Sequence, residues 1–198
     1  MKQMTLMAVM LALVAPVLAQ TPPPAPAAMK PVGMTLSSPD FADGGIIPDK
    51  FTSKVYVAGQ KPLANSPALS WTGTPAGTQS FALIVHDLDV QLGKGLGDNL
   101  HWFAWNIPAT ATALQQGVPT IAKLPDGTQQ NRWGSAPNYY YGWGGPGAPA
   151  PIYHHYVFEI WALDAKLDLP ENASRADLLK AMDGHVLDKG FTVGRFHR

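Results

Sequence analysis

The chain has 198 residues, with 14 Lys plus Arg balancing 14 Asp plus Glu, 19 glycines, 19 prolines and no cysteine. This length suits one ordinary domain plus an export segment, and the lack of cysteine excludes disulfides, a thiolate nucleophile, cysteine-ligated zinc and a cysteine-linked lipid anchor. Zero net charge without a basic stripe argues against nucleic acid, and a charged fraction of only 14% beside so much Gly and Pro favours turns and strands over long surface helices.

Residues 1–19 read as a signal peptide. Lys2 is the positive start, Leu6 to Val17 is an apolar run interrupted by Pro16, and Val17-Leu18-Ala19 suits a cleavage site before Gln20. A periplasmic or secreted location is the expectation, with no transmembrane anchor after cleavage. Residues 20–31 form a tether, since Thr21 to Pro31 is almost all Pro and Ala and cannot build a core. The folded domain is expected over residues 32–198.

Within it, short apolar runs alternate with turn clusters. Strands are predicted at Met34 to Ser37, Lys54 to Val57 and Ala68 to Trp71, with a turn at Asp43-Gly44-Gly45 and a loop at Gly73 to Gly77. Ser80 to His86 is a stronger strand. It is almost continuously apolar, which predicts cover on both faces. His101 to Ile107 is the next strong strand, ended by Pro108, and Tyr153 to Leu163 is the third. One helix is predicted from the N-cap Ser174, with Asp177 as a capping-box partner and Leu178, Leu179, Met182 and Val186 at helical spacing. Phe191 to Arg198 alternates enough for a final short strand. Many short strands between Gly/Pro turns predict a mainly β sandwich or barrel-like fold.

Strand alternation identifies the candidate site. Phe81, Leu83, Val85 and Asp87 share one face of the first strong strand; His101 shares one with Phe103 and Trp105; His154 and Tyr156 share one with Phe158 and Ile160. Each strand thus carries titratable groups on an apolar face near a strand end. Unpaired, such groups would each cost a few kcal/mol, so they are expected to meet one another or a ligand. A single histidine at a strand end is more often structural, and Asp87 and Asp89 also suit a turn, since Asp bonds nearby backbone. Tyr140 to Pro151 is rich in Gly, Pro and aromatics. Its backbone N–H groups suit an anion-binding nest and its rings a binding rim.

Three segments together resemble the phosphatidylethanolamine-binding protein family, in particular its bacterial Raf-kinase-inhibitor-like branch. Ile84-Val85-His86-Asp87-Leu88-Asp89 is similar to the family's Asp-Pro-Asp-Ala-Pro segment, although Leu88 and Gln91 replace both prolines. His101-Trp102-Phe103-Ala104-Trp105-Asn106-Ile107-Pro108 is similar to its His-Trp strand. Tyr141-Gly142-Trp143-Gly144-Gly145-Pro146, followed by His154-His155-Tyr156, resembles its Gly-Pro loop and His-Arg-Tyr strand, with His155 in place of Arg. The resemblance implies an antiparallel Greek-key β-sandwich with a few peripheral helices. It also implies a non-catalytic pocket for a phosphate or phosphoryl headgroup, made by Asp87, His101, Gly145, Pro146, His154 and Tyr156, with Asp89, Trp143 and His155 behind it or at its rim. His101 and His154 are expected to donate N–H bonds to the anion. No cofactor and no bound metal are expected. A second reading is inhibition of a protease or kinase, with Trp143 and Tyr139 to Tyr141 as an aromatic anchor. A third is metal-dependent hydrolysis, disfavoured because neither H-E-x-x-H nor G-x-S-x-G occurs.

Overall fold

A computed structural model describes residues 33–52, 65–95, 97–134 and 139–198. The export segment, the tether and the strand expected at Lys54 to Val57 lie outside these residues. Eleven strands are described: β1 Thr35–Ser37, β2 Gly45–Ile46, β3 Leu69–Thr72, β4 Ser80–Gln91, β5 Asp98–Pro108, β6 Ala113–Leu114, β7 Gln129–Gln130, β8 Arg132–Trp133, β9 Tyr140–Tyr141, β10 His154–Leu163 and β11 Val186–Phe196. One α-helix, α1 Arg175–Met182, precedes β11.

A six-stranded sheet, in the order β2-β11-β10-β4-β5-β7, faces a three-stranded sheet, β1-β3-β6. The pairings are antiparallel except for β11 with β2, which run parallel, so the larger sheet is mixed. Phe81, Leu83, Val85, Trp102, Ile107, Phe158 and Ile160 fill the space between the sheets with Leu36, Leu69 and Trp71. At about 1.5–3 kcal/mol for each large apolar side chain removed from water, this layer dominates the folding energy.

The β4 run is covered on both faces, as its composition predicts. Ala82 and Ile84 turn outward and pack with Phe103, Trp105 and Leu163 beneath Leu178 and Met182 of α1. This helix starts where the capping signal lies. The Ser174 hydroxyl accepts the Asp177 N–H and the Asp177 carboxylate accepts the Ser174 N–H. It stops at Met182, earlier than the apolar spacing suggests, because Gly184 adopts a left-handed φ of 81°. Val186 instead opens β11, which pairs along the whole of β10, so the final strand begins earlier and is longer than expected.

Two irregularities in the β4–β5 pairing shape one end of the sandwich. Val85 pairs with Trp102 but His86 pairs with Leu100, so His101 is an extra residue in β5. Asp87 pairs with Asn99 but Gln91 pairs with Asp98, so residues 88–90 bow out of β4. Bulges of this kind re-aim side chains.

Candidate functional site

The register brings the predicted groups together. Asp87 on β4 lies opposite Tyr156 on β10 and opposite Asn99 on β5. A cavity of 240 Å³ opens there, lined by Asp87, Val90, Asn99, His101, Gly145, Gly147, Ala148, Pro149, His154 and Tyr156. Of the six residues expected to make the pocket, five line it. Pro146 does not, although it is buried.

Asp87 is buried, and both of its oxygens are engaged. Oδ2 meets His154 Nδ1 at 2.8 Å, and Oδ1 accepts the Asp89 N–H at 2.9 Å. A carboxylate only accepts, so the Nδ1 proton of His154 points toward it. The other His154 nitrogen, Nε2, remains for a ligand. Asp87 therefore orients a histidine, and Asp89 bonds both its own turn and the next residue of β10. The Asp89 carboxylate accepts the His155 N–H at 2.6 Å and meets His155 Nδ1 at 3.0 Å. Burial opposes its charge, but the bonds from His155 outweigh this and hold Asp89 below its usual range.

His101 departs from the simple alternation. Phe103 and Trp105 face α1, whereas Trp102 faces the inter-sheet core. The bulge supplies the extra residue that turns His101 into the pocket, away from the Phe103 face. Its Nδ1 donates to the Gly144 carbonyl at 2.6 Å, and its Nε2 receives the Asn99 amide at 3.0 Å. Both nitrogens are therefore occupied. Burial lowers its pKa, favouring the neutral ring that this pattern of bonds describes. The expected N–H donation from His101 to an anion is thus corrected: this ring anchors the Gly144 loop and sets Asn99.

Tyr156 is fully buried, and its ring meets His101 edge-on with centroids 5.0 Å apart. Its hydroxyl lies against Asp87 and the backbone N–H groups of Gly147 and Ala148, but no partner reaches hydrogen-bond geometry. Burial, and then the Asp87 charge, push its pKa far above the usual phenol range, so it keeps its proton and is a donor. A buried hydroxyl without a partner, at the wall of a cavity, is built for an acceptor that arrives from outside.

The Gly-rich loop is pinned from below. A Cβ on Gly145 would lie 2.7 Å from the Phe51 carbonyl oxygen, so only glycine fits this approach. Trp143 is buried, donates its indole N–H to the Phe51 carbonyl at 3.0 Å and stacks on Phe158. It belongs to the core and is not a rim residue. Tyr141 bonds Glu171 and Tyr139 lies beneath Arg132, so these rings are held in contacts of their own. The exposed ring beside the pocket strand is Tyr153, against His197.

Sequence reasoning missed Asn99, Val90 and the backbone of residues 147–149. The spacing of Asn99 and His101, two apart on one strand, is the signal that would have found Asn99. It also missed a second polar group on the opposite face of the sheet, where His86 Nδ1 meets Asp98 Oδ2 at 2.5 Å and Arg175 pairs with Asp98. There His86 Nε2 approaches Glu159 Oε2 at 3.4 Å, and Lys189 bonds Glu159 at 3.1 Å. Among the described residues no set of three or more His, Asp or Glu side chains is placed to share a metal ion.

A model of the phosphatidylethanolamine-binding protein family matches residues 37–197. A UPF0098 protein of Methanothermobacter thermautotrophicus is 38% identical over 165 residues, covering 83% of this chain and 99% of its own length. One from Aquifex aeolicus is 33% identical over 169 residues, covering 83% and 89%. In solved structures, the phosphatidylethanolamine-binding protein homologue CT736 of Chlamydia trachomatis superposes with a TM-score of 0.66 at 29% identity, covering 84% of this chain and 98% of its own. Escherichia coli YbcL, described as a member of the mammalian family, gives 0.66 at 27% identity, covering 84% and 99%. The sandwich, the register that gathers Asp87, His154 and Tyr156, and these matches agree, and the chain belongs to the phosphatidylethanolamine-binding protein family.

Proposed function

We propose that this protein binds a small anion, a phosphate or phosphoryl headgroup, in the Asp87–His154–Tyr156 pocket, and that it acts by binding and not by catalysis. The observation that supports this is the buried Tyr156 hydroxyl, a donor that no group of the cavity wall meets in hydrogen-bond geometry. Beside it, the backbone N–H groups of Gly147 and Ala148 offer further donors. His154, steered by Asp87, presents Nε2; this nitrogen donates when the ring is protonated and accepts from a protonated ligand oxygen when it is neutral.

A few charge-assisted bonds of about 1.5–3 kcal/mol each support dissociation constants between about 1 μM and 1 mM. The N-terminal segment fits an exported protein, and N-terminal sequencing of the protein from an extracytoplasmic fraction, starting at Gln20, tests that location.

The direct test is calorimetric titration of inorganic phosphate and phosphoethanolamine into the native protein and His154→Ala. The variant is expected to bind at least tenfold more weakly, and equal affinity would defeat the assignment.

A further inference from the structure

The Asn106-Ile107-Pro108 end of β5 takes no part in the anion pocket. Ser80 pairs with Pro108 where β4 begins, whereas Asp87 pairs with Asn99 at the pocket end of the same two strands. A separate cavity of 490 Å³ opens at this other end, with Asn106, Thr110, Lys123, Asp126, Gln129 and Lys166 in its lining. These residues come from the exit of β5, from the turn before and into β7, and from the loop that follows β10.

The cavity is held in shape by a strained residue. Among the described residues Asn106 is the one non-glycine with a positive φ, at 55°. Such a conformation costs about 1–3 kcal/mol and persists only where the surroundings enforce it, often at a ligand site. Phe81 pairs with Ile107 but Leu83 pairs with Ala104, so Asn106 lies in a bulge of β5. Its amide donates to the Leu167 carbonyl at 2.9 Å, and its carbonyl accepts the Leu167 N–H at 2.8 Å. Leu167 is buried, so this double bond fixes the backbone that carries Lys166 to the cavity wall. Lys123 is fixed separately. It bridges Gln129 across a turn in which the Leu124 carbonyl accepts the Gly127 N–H at 3.0 Å and Asp126 Oδ1 accepts the Thr128 N–H at 2.9 Å.

Two ammonium groups thus converge on one hollow from distant parts of the chain. Neither forms an ion pair among the described residues, and Asp126 is the one carboxylate in the lining. Like charges around a shared hollow repel, and an anion between them reverses the sign of that energy. The rest of the lining asks for more than a bare carboxylate. The Gln79 and Gln129 amides and the Thr110 hydroxyl have no hydrogen-bond partner among the described residues. Each both donates and accepts, as the hydroxyls of a sugar do, and Asp126 adds an acceptor. Pro108 and Ala109 supply a small apolar surface for ring C–H groups. The volume falls in the range of small-molecule pockets, about 300–1,000 Å³. We infer that this cavity is a second binding site, for a sugar acid: Lys123 and Lys166 meet its carboxylate, and the amides, Thr110 and Asp126 meet its hydroxyls. The site is independent of the anion pocket, whose lining has neither Lys nor Arg.

The experiment titrates glucuronate, glucose, acetate and inorganic phosphate into the isotope-labelled native protein, Lys123→Gln, Lys166→Gln and the double variant, and follows the backbone amides by NMR. Both lysines are exposed, so the variants are expected to keep the native spectrum away from the cavity. Glucuronate is expected to shift amides within residues 106–110 and 123–129 and that of Lys166. Glucose and acetate are each expected to bind at least tenfold more weakly, since one lacks the charge and the other the hydroxyls. Each single variant is expected to lose at least threefold in glucuronate affinity and the double variant at least tenfold. Glucuronate that shifts none of these amides would overturn the site. Glucose, acetate or phosphate binding there as tightly as glucuronate would overturn the sugar-acid assignment. Unchanged glucuronate affinity in the variants would overturn the role of the two lysines, and the proposal with it.

Discussion

Replacing Tyr156 by Phe separates a structural hydroxyl from a ligand-binding one by the signs of two measurements. The substitution keeps the ring, its edge-on contact with His101 and its burial. It removes an oxygen that has no partner within the protein. Leaving a buried polar group unsatisfied costs about 1–3 kcal/mol, so Tyr156→Phe is expected to stabilise the ligand-free protein by about 1–2 kcal/mol. For a domain of this size each kcal/mol moves the melting temperature by about 2–4 °C, giving a rise of roughly 2–8 °C. The anion should respond in the opposite direction. Loss of one hydrogen bond to a charged ligand removes about 1.5–3 kcal/mol, a 10- to 150-fold rise in Kd. Thermal unfolding of both proteins in phosphate-free buffer, and phosphate calorimetry on both, read the two effects. A variant that melts lower and binds phosphate as tightly as before would refute the reasoning, because the hydroxyl would then be satisfied within the fold.

The remaining predictions concern the loop and the opposite face of the sheet. Gly145→Ala puts a methyl 2.7 Å from the Phe51 carbonyl oxygen; it is expected to destabilise by about 1–3 kcal/mol and to weaken phosphate binding at least tenfold, and unchanged affinity would mean that the loop does not contribute. For His86, burial works against the charged form, but the bonds to Glu159 and Asp98 outweigh it and raise its pKa above 6.5. Its stabilising contribution is therefore complete below about 6.5 and is lost as pH rises through the raised value. Asp98 and Glu159 are likewise opposed by burial but held below 3.8 and 4.5 by their bonds to His86, Arg175 and Lys189. Their contribution is present above those values and is lost as pH falls. The network is expected to stabilise most between about pH 4.5 and 6.5. Urea midpoints of His86→Gln measured against pH should show a flatter decline above pH 6.5 than the native protein, and parallel profiles would rule the network out.

Much of the site was legible in the sequence because strand alternation is local. Asp87 falls on the face of Phe81, Leu83 and Val85, and His154 and Tyr156 on that of Phe158 and Ile160, and the side chains follow. The same rule failed at His101, where the face depends on a bulge that no spacing announces. At the bulge β5 pairs with β4 on one side while its His101 carbonyl accepts the Gly144 N–H at 2.8 Å on the other, a contact with a residue 43 positions away. Trp143 misled for a related reason. Its neighbours in sequence are loop glycines, but its neighbours in space are Phe51, Trp102 and Phe158.

Composition, turn chemistry and apolar period thus determined the mainly β class, the doubly covered β4 and the capped start of α1, and three short motifs gave the family resemblance, since each depends on residues near in the chain. Only the tertiary structure decided which nitrogen of His101 and His154 is occupied, that Pro146 lies outside the pocket lining and Trp143 in the core, and that the buried Tyr156 hydroxyl has no partner in hydrogen-bond geometry. Those outcomes are set by contacts between residues many tens of positions apart, such as Asp87 with His154 and His101 with Gly144. Register and loop packing make such contacts, and no local pattern encodes them.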